Sequence, residues 1–130
     1  KNLWLLSLDD NNVSDISILS HLNNLSDLYL SNNNISNISV LSGLADLHDL
    51  YLDHNNVSDI SVLSSFDDLL NLRLNCNNIS DLKPLVDNTG LSSEYLLHVG
   101  ANPLSNESLN VYIPILEGRG VIVNTWQSCD

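Results

Sequence analysis

The sequence predicts an α/β solenoid: a right-handed superhelix with short parallel β-strands on its concave face, 3₁₀ turns on its convex face and a C-terminal helix-strand cap. The first observation is a 22-residue period, clearest where the apolar residues of 25–46 recur at the same places in 47–68, as in a stack of repeated coils. The second is a change of spacing within each unit. Apolar residues alternate around Leu28-Tyr29-Leu30, as in a strand, and follow at steps of three after Asn33, as in a tight helical turn.

Four units follow one another before the pattern weakens. They begin at Leu3, Leu25, Leu47 and Leu69. In the fourth unit Asn88 occupies a leucine position and three extra residues are inserted, after which Leu97 resumes a fifth, degenerate unit. We therefore expect residues 1–93 to form about four 22-residue repeats without an N-terminal cap. Residues 94–130 are expected to form the degenerate last repeat and a capping segment.

The start of the chain fits the middle of a repeat array. Lys1 and Asn2 match the last two places of a preceding unit. The chain contains no Met, and no basic, apolar leader precedes the first unit. An internal fragment or a processed form of a longer protein is therefore expected.

Residue types within each unit predict how the coil closes. Ser36 or Asn37 is expected to cap a return segment that starts near Ile38. About a dozen residues remain for that return, so one or two 3₁₀-like turns are favoured over a full helix. An asparagine follows each strand, and its amide can bond to the backbone of its own coil and of the adjacent one. The predicted ladder comprises Asn11, Asn33, Asn55, Asn77 and Asn102.

The segment after Asn102 is predicted to cover the end of the stack, as terminal repeats must. Ser105 is expected to cap a helix that Pro114 kinks or shortens and that Gly118 ends. A last strand is expected over 121–123. The predicted apolar face of the helix consists of Leu109, Tyr112, Ile113 and Leu116.

Charge limits the classes of partner. Sixteen acidic side chains stand against four Lys and Arg, which gives a formal net charge of −12. Nucleic acids and anionic membrane surfaces are therefore poor partners, because both need clustered basic residues. No run of about 18 apolar residues occurs, so no membrane insertion is predicted. The charge favours another protein as partner, one that presents a basic patch.

The repeat resembles that of the bacterial leucine-rich repeat proteins of the internalin type, whose units follow LxxLxLxxNxIxxIxxLxxLxx. The match runs from Leu3 to Leu85. The ending ANPLSNESLNVYIPILEGRGV is similar to the closing segment of many bacterial surface proteins of this class. The resemblance implies a curved platform whose strand face binds another protein, often as an adhesin or ligand-binding module. It also implies an extracellular or cell-surface location.

Residues that flank the inward leucines are predicted to project from the concave face in columns about 4.7–4.9 Å apart. One column holds Tyr29, Tyr51 and Arg73, and tyrosine and arginine are frequent anchors of protein interfaces. Acidic neighbours would supply electrostatic complementarity to a basic patch. The alternative is that the tyrosines merely pack across strands on a solvated sheet. The predicted partner-binding residues are Tyr29, Tyr51, Arg73, Asp27, Asp49, Asp53 and His98.

Other constellations are weaker. One edge of the predicted sheet carries Asp9, Asp10, Asp53, His54 and Cys76. No metal-binding motif accompanies them, so solvated acids are favoured over a metal site. His54 and Cys76 are neighbours by column, yet a shallow sheet offers no cleft for catalysis. The chain is therefore predicted to be no enzyme and to need no metal or cofactor.

The two cysteines, Cys76 and Cys129, allow one disulfide or none. A bridge requires the tail after Val123 to fold back across the last coils. A free Cys76 beside the strand edge is the simpler expectation.

Asparagine-x-serine matches recur at one repeat position and favour a bacterial source. Glycans there would lie one strand spacing apart, too close for their bulk on every coil. The position holds Asn12, Asn34, Asn56 and Asn78.

Two other functions stay open beside recognition outside a bacterial cell. The chain also resembles the 22-residue-repeat regulators of protein phosphatases, which implies a cytoplasmic scaffold that docks an enzyme on the same concave face. A carrier domain attached to an enzyme elsewhere in a longer chain is the third. An upstream signal peptide, a cytosolic start or a catalytic domain would distinguish the three.

Overall fold

The strands of successive coils form one sheet. In the computed structural model, which describes residues 2–91 and 93–129, six short strands pair in parallel and in chain order. They are β1 (Leu5–Ser7), β2 (Asp27–Tyr29), β3 (Asp49–Tyr51), β4 (Asn71–Arg73), β5 (Leu96–His98) and β6 (Ile122–Asn124). The predicted solenoid of short parallel strands is confirmed.

Stacking determines how deeply each coil is buried. Leu28, Leu50 and Leu72 lie in register on neighbouring strands and have no exposed surface. In the first coil the equivalent Leu6 is only partly buried, because the described coils cover it from one side. The apolar core is therefore shared between coils, as in other solenoids.

Short helical turns return the chain from one strand to the next. In the first three coils they are 3₁₀ turns, as predicted: Ser17–His21, Ser39–Gly43 and Ser61–Ser65. The N-cap residue of the second is Ile38, and Asn37, one residue before it, accepts a hydrogen bond on Oδ1 from the Ser39 N–H at 2.9 Å. The fourth return differs from the expectation. It is a single α-helical turn, α1 (Lys83–Asp87), at the repeat position and with the length of the 3₁₀ turns. The Asn88 N–H donates to the Pro84 oxygen four residues back at 3.1 Å, as in an α-helix.

The predicted asparagine ladder is present. Asn55 is buried between two coils, and its Nδ2 donates to the backbone oxygens of Leu30 at 2.9 Å and Leu52 at 3.1 Å. Its Oδ1 accepts a hydrogen bond from the Ile35 N–H at 2.9 Å. The asparagines at this place in neighbouring coils repeat the arrangement. The ladder therefore satisfies backbone groups that would otherwise be buried without partners.

A left-handed residue lies just beyond each of the first five strands. The φ angles at these positions fall between 53° and 59°, and none of the five is glycine. Because the same turn recurs in every coil, their side chains follow one edge of the sheet. We call this set the turn column: Asp10, Asn32, His54, Cys76 and Ala101.

The insertion in the fourth unit changes the core. Asn88 is buried at the leucine position, where its Nδ2 donates to the backbone oxygens of Leu63 at 2.9 Å and Phe66 at 2.6 Å. Tyr95 enters the core with 1% of its surface exposed. Burial raises the pKa of Tyr95, and within the described part of the chain its hydroxyl has no hydrogen-bond partner.

The Tyr95→Phe substitution is expected to raise the free energy of unfolding by about 1 kcal/mol, because the variant no longer buries an unpaired hydroxyl. Denaturant unfolding of both proteins would measure the difference. Tyr112→Phe is the matched control. The Tyr112 hydroxyl donates to Glu107 Oε1 at 2.9 Å near the surface, so its removal should leave stability unchanged or slightly lower. A destabilised Tyr95→Phe protein would contradict the expectation.

The C-terminal cap consists of a helical segment and a strand, as predicted. Ser105 caps the segment: its Oγ accepts a hydrogen bond from the Ser108 N–H at 3.1 Å. A π-helical turn, Ser108–Tyr112, then leads into α2 (Ile113–Gly118). The strand β6 begins one residue later than expected. No helix of the described residues has the length and apolar composition to cross a bilayer.

The apolar face expected for the capping helix is wrong at one position. Leu109 is 44% exposed, whereas Ser108 is fully buried. A π-turn holds one residue more than an α-helical turn, which rotates Leu109 away from the core. Pro114, whose nitrogen carries no hydrogen, lies just after this turn.

Candidate functional site

The outward side chains of the sheet form the candidate binding surface, which we call the strand face. Strand pairing places Tyr29, Tyr51, Arg73 and His98 side by side on β2 to β5. A second column, on the other side of the inward leucines, holds Asp27 and Asp49. The columns predicted from the repeat therefore exist.

The central column is a continuous stack. The ring centroids of Tyr29 and Tyr51 lie 4.7 Å apart with a tilt of 37° between the ring planes. The Arg73 Cζ atom lies 5.3 Å from the centroid of the Tyr51 ring, within the range of a cation–π contact. Each side chain is therefore held by its neighbours, which lowers the entropy lost when a partner binds.

Asp53 differs from the exposed rim residue that the sequence predicts. It is 6% exposed, and its Oδ2 accepts a hydrogen bond from Arg73 Nε at 2.8 Å. Its Oδ1 accepts another from the Asn75 N–H at 2.8 Å. The Asp9 Oδ1 accepts a hydrogen bond from the Ser31 N–H in the same way. Asp53 therefore orients Arg73 and ties two coils together, because its position places the carboxylate over the next strand.

Asp27 and Asp49 supply the accessible acidic part of the surface. Both are partly exposed, and each accepts one hydrogen bond on Oδ1, from Ser26 Oγ at 3.1 Å and from Asn71 Nδ2 at 2.8 Å respectively. Partial burial and, next, these carboxylates raise the pKa of Tyr29. The phenol therefore keeps its proton and can donate a hydrogen bond.

The pKa values of Tyr51 and His98 are shifted in opposite directions. Partial burial and then the Asp49 carboxylate raise the pKa of Tyr51, against the lowering effect of Arg73. Partial burial and then the Arg73 charge lower the pKa of His98. Because the pKa of His98 is lowered from a value already below 7, its imidazole is mainly neutral near neutral pH.

The expectation of a free Cys76 is wrong. Cys76 and Cys129 form a disulfide with a Cα–Cα distance of 5.8 Å. The tail after β6 folds back across the coil that contains Gly100. A Cβ atom at Gly100 would lie 2.6 Å from the Gln127 Cβ and 2.8 Å from its backbone nitrogen. The glycine therefore makes room for the tail. The other coils have Asp, Ser or Asn at this position, so the glycine was the one sign in the sequence that the tail crosses here.

The predicted edge cluster is only partly assembled. His54, Cys76 and Cys129 bring one nitrogen and two sulfur atoms within 4.8 Å of one another. Asp9 and Asp53 instead bond to backbone groups of the next coil. The edge is therefore a cysteine–histidine cluster, with Asp9 and Asp53 engaged in holding the coils together.

Comparison with known proteins agrees with this architecture. The family model described as "Leucine Rich repeats (2 copies)" matches residues 27–65. The crystal structure of internalin C2 from Listeria monocytogenes is similar at a TM-score of 0.81 and 32% identity. That match covers 95% of this chain and 52% of the internalin C2 chain. Comparison with curated protein sequences finds no match.

Two further solved structures are similar. Internalin F from Listeria monocytogenes is 41% identical at a TM-score of 0.72, over 79% of this chain and 30% of that one. A leucine-rich repeat protein of Leptospira interrogans has a TM-score of 0.78 over 92% of this chain and 30% of its own, and its 22% identity shows the fold alone. The chain thus spans about half of internalin C2 and less than a third of the other two.

The parallel sheet, the asparagine ladder and the repeat define a leucine-rich repeat solenoid. Its repeats are of the internalin type, as the two Listeria structures show. Leucine-rich repeat domains generally bind other proteins.

Proposed function

We propose that this chain is the recognition module of a bacterial surface or secreted protein and that it binds a partner protein through the strand face. The Tyr29–Tyr51–Arg73 stack is the observation that carries the proposal. Tyrosine and arginine are enriched among residues that dominate binding energy, above all where their neighbours fix them in place. Surface tyrosines that only pack across strands would not need an arginine oriented by a buried carboxylate.

Charge specifies the kind of partner. Asp27 and Asp49 border the stack, and the chain carries a formal net charge of −12. A partner with a basic patch would be attracted over a distance limited by the Debye length, about 8–10 Å at physiological salt. We therefore expect the association rate to fall as salt concentration rises.

The disulfide favours an extracellular location over the cytoplasmic scaffold. Disulfides such as Cys76–Cys129 persist in oxidising surroundings and are rare in the cytosol of most organisms. A scaffold that docks an enzyme such as a phosphatase would use the same strand face, so the two functions differ in compartment and partner.

The test uses the intact protein that contains this chain. Proteins captured by the wild type would be compared with those captured by an Asp27→Lys, Asp49→Lys variant. The matched control reverses Asp67 and Asp68 instead, an equal change of charge at exposed positions before β4. A partner retained by the control and lost by the strand-face variant would then be purified.

With that partner, Tyr51→Ala is expected to weaken binding by about 30-fold, the equivalent of a 2 kcal/mol hot spot. Tyr29→Ala should have a similar effect. Titration calorimetry would give the affinities, and thermal unfolding would confirm that the variants are folded. An unchanged affinity in both alanine variants would overturn the proposed binding surface.

A further inference from the structure

The cysteine–histidine cluster at the edge of the sheet combines three metal-ligating side chains from two coils and the tail. We propose that reduction of the Cys76–Cys129 disulfide converts this cluster into a binding site for a thiophilic divalent metal ion, with Zn²⁺ as the reference ion. The ligands are the two thiolate sulfurs and the imidazole of His54. The metal then takes over the role of the disulfide in holding the tail.

The backbone places two of the ligands side by side. His54 and Cys76 occupy the turn column in adjacent coils, with φ angles of 55° and 57°. The His54 N–H donates to the Asn75 oxygen at 2.9 Å, and the Cys76 N–H donates to the Gly100 oxygen at 2.9 Å. Both side chains therefore leave anchored backbone at one strand spacing.

The third ligand is on the adaptable tail. Cys129 is exposed, whereas Cys76 is partly buried, so the Cys129 sulfur can move when the disulfide opens. The three candidate ligand atoms already lie within 4.8 Å of one another. Zinc–ligand distances of about 2.0–2.3 Å place tetrahedral ligands about 3.5 Å apart, so the two sulfurs must separate once the disulfide opens, which the exposed position of Cys129 allows.

The imidazole is available for a metal. Over residues 2–91 and 93–129, no hydrogen bond or ion pair engages the His54 ring, while His48 Nδ1 lies 3.1 Å from Ser26 Oγ. The other turn-column residues are Asp10, Asn32 and Ala101, so histidine is not required by the turn itself. Histidine occurs in this column only beside the cysteine.

The chemistry of the ligands selects the ion. Sulfur and imidazole nitrogen are the preferred ligands of Zn²⁺, and three protein ligands leave one position for water. Opening the site needs an external reductant. A trialkylphosphine and one water yield the phosphine oxide and two thiols from the disulfide. Binding of Zn²⁺ as a dithiolate then releases two protons to solvent.

The experiment uses the folded protein reduced with a water-soluble phosphine, with Co²⁺ as a spectroscopic probe and Zn²⁺ in competition. We expect one Co²⁺ per chain with a thiolate-to-cobalt charge-transfer band, displaced by Zn²⁺ with two protons released per chain. The oxidised protein retains the same histidines and carboxylates and should show no such band. Thermal unfolding of the reduced protein should shift upward when Zn²⁺ is added.

His54→Asn is the decisive variant, because asparagine occupies the same turn at Asn32 and tolerates its φ angle. In the oxidised state the variant should have the same melting temperature as the wild type. In the reduced state its affinity for Zn²⁺ should be at least about 10-fold lower than that of the wild type. His48→Ser is the histidine control, because serine occupies the equivalent position, Ser26, in the preceding coil. This variant should bind Zn²⁺ as the wild type does. A reduced wild type without a thiolate–cobalt band, or a His54→Asn variant with undiminished affinity, would overturn the proposal.

Discussion

Replacing Asn55 with alanine is expected to lower the free energy of unfolding by about 2–4 kcal/mol. The substitution leaves the Ile35 N–H, which bonds to Asn55 Oδ1 at 2.9 Å, buried without a partner. An orphaned buried donor alone costs about 1–3 kcal/mol. The Leu30 and Leu52 oxygens also lose one donor each, although each retains a bond from the asparagine of a neighbouring coil.

Asn11→Ala is the control for the asparagine ladder, because it occupies the same repeat position in an exposed place. Its Nδ2 donates to the oxygens of Leu8 and Asp9, both at 2.9 Å. Water can replace these bonds, so the loss should be about 0.5–1.5 kcal/mol. Denaturant unfolding of both variants measures the contrast. Equal losses at the two positions would show that the ladder stabilises the coils by some means other than satisfying buried groups.

Breaking the disulfide with Cys129→Ser is expected to lower the free energy of unfolding by about 2–4 kcal/mol. The two cysteines are 53 residues apart in sequence, so the bridge removes much of the freedom of the unfolded C-terminal half. The bridge also pins the tail across the last coil. Hydrogen exchange should therefore accelerate most in β5 and β6, while β2 and β3 retain their protection.

Chemical reduction separates the effect of losing the disulfide from the effect of replacing the Cys129 side chain. With a metal chelator present, reduction should destabilise the wild type to the level of Cys129→Ser and leave that variant unaffected. If the wild type were equally stable oxidised and reduced, the tail would contribute nothing to the cap.

Most of the fold could be predicted from the 22-residue period of the sequence. The alternation of leucines and the fixed repeat length place Tyr29, Tyr51 and Arg73 in one column, because stacked coils keep register whenever their inward residues match. The asparagine ladder followed from the same logic, since its position is set by the strand end. Local features that recur in every coil were therefore predictable.

Features that occur only once in the chain could not be predicted from the repeat. The exposure of Leu109 depends on a π-turn, and the burial of Tyr95 depends on how the inserted residues bulge. The expected exposure of Asp53 was wrong. The repeat shows on which side of the strand its side chain lies, but it does not show that the carboxylate bonds to Arg73 and to the Asn75 N–H. The disulfide was missed because the path of the tail depends on the space left at Gly100.

The turn column also limits how this surface can diversify. At φ angles near +55°, β-branched side chains are strongly disfavoured, while glycine and asparagine enter easily. Randomised binders built on this scaffold should therefore exclude Val, Ile and Thr at 32 and 54. Affinity selection would then vary this edge only among residues that are not branched at Cβ.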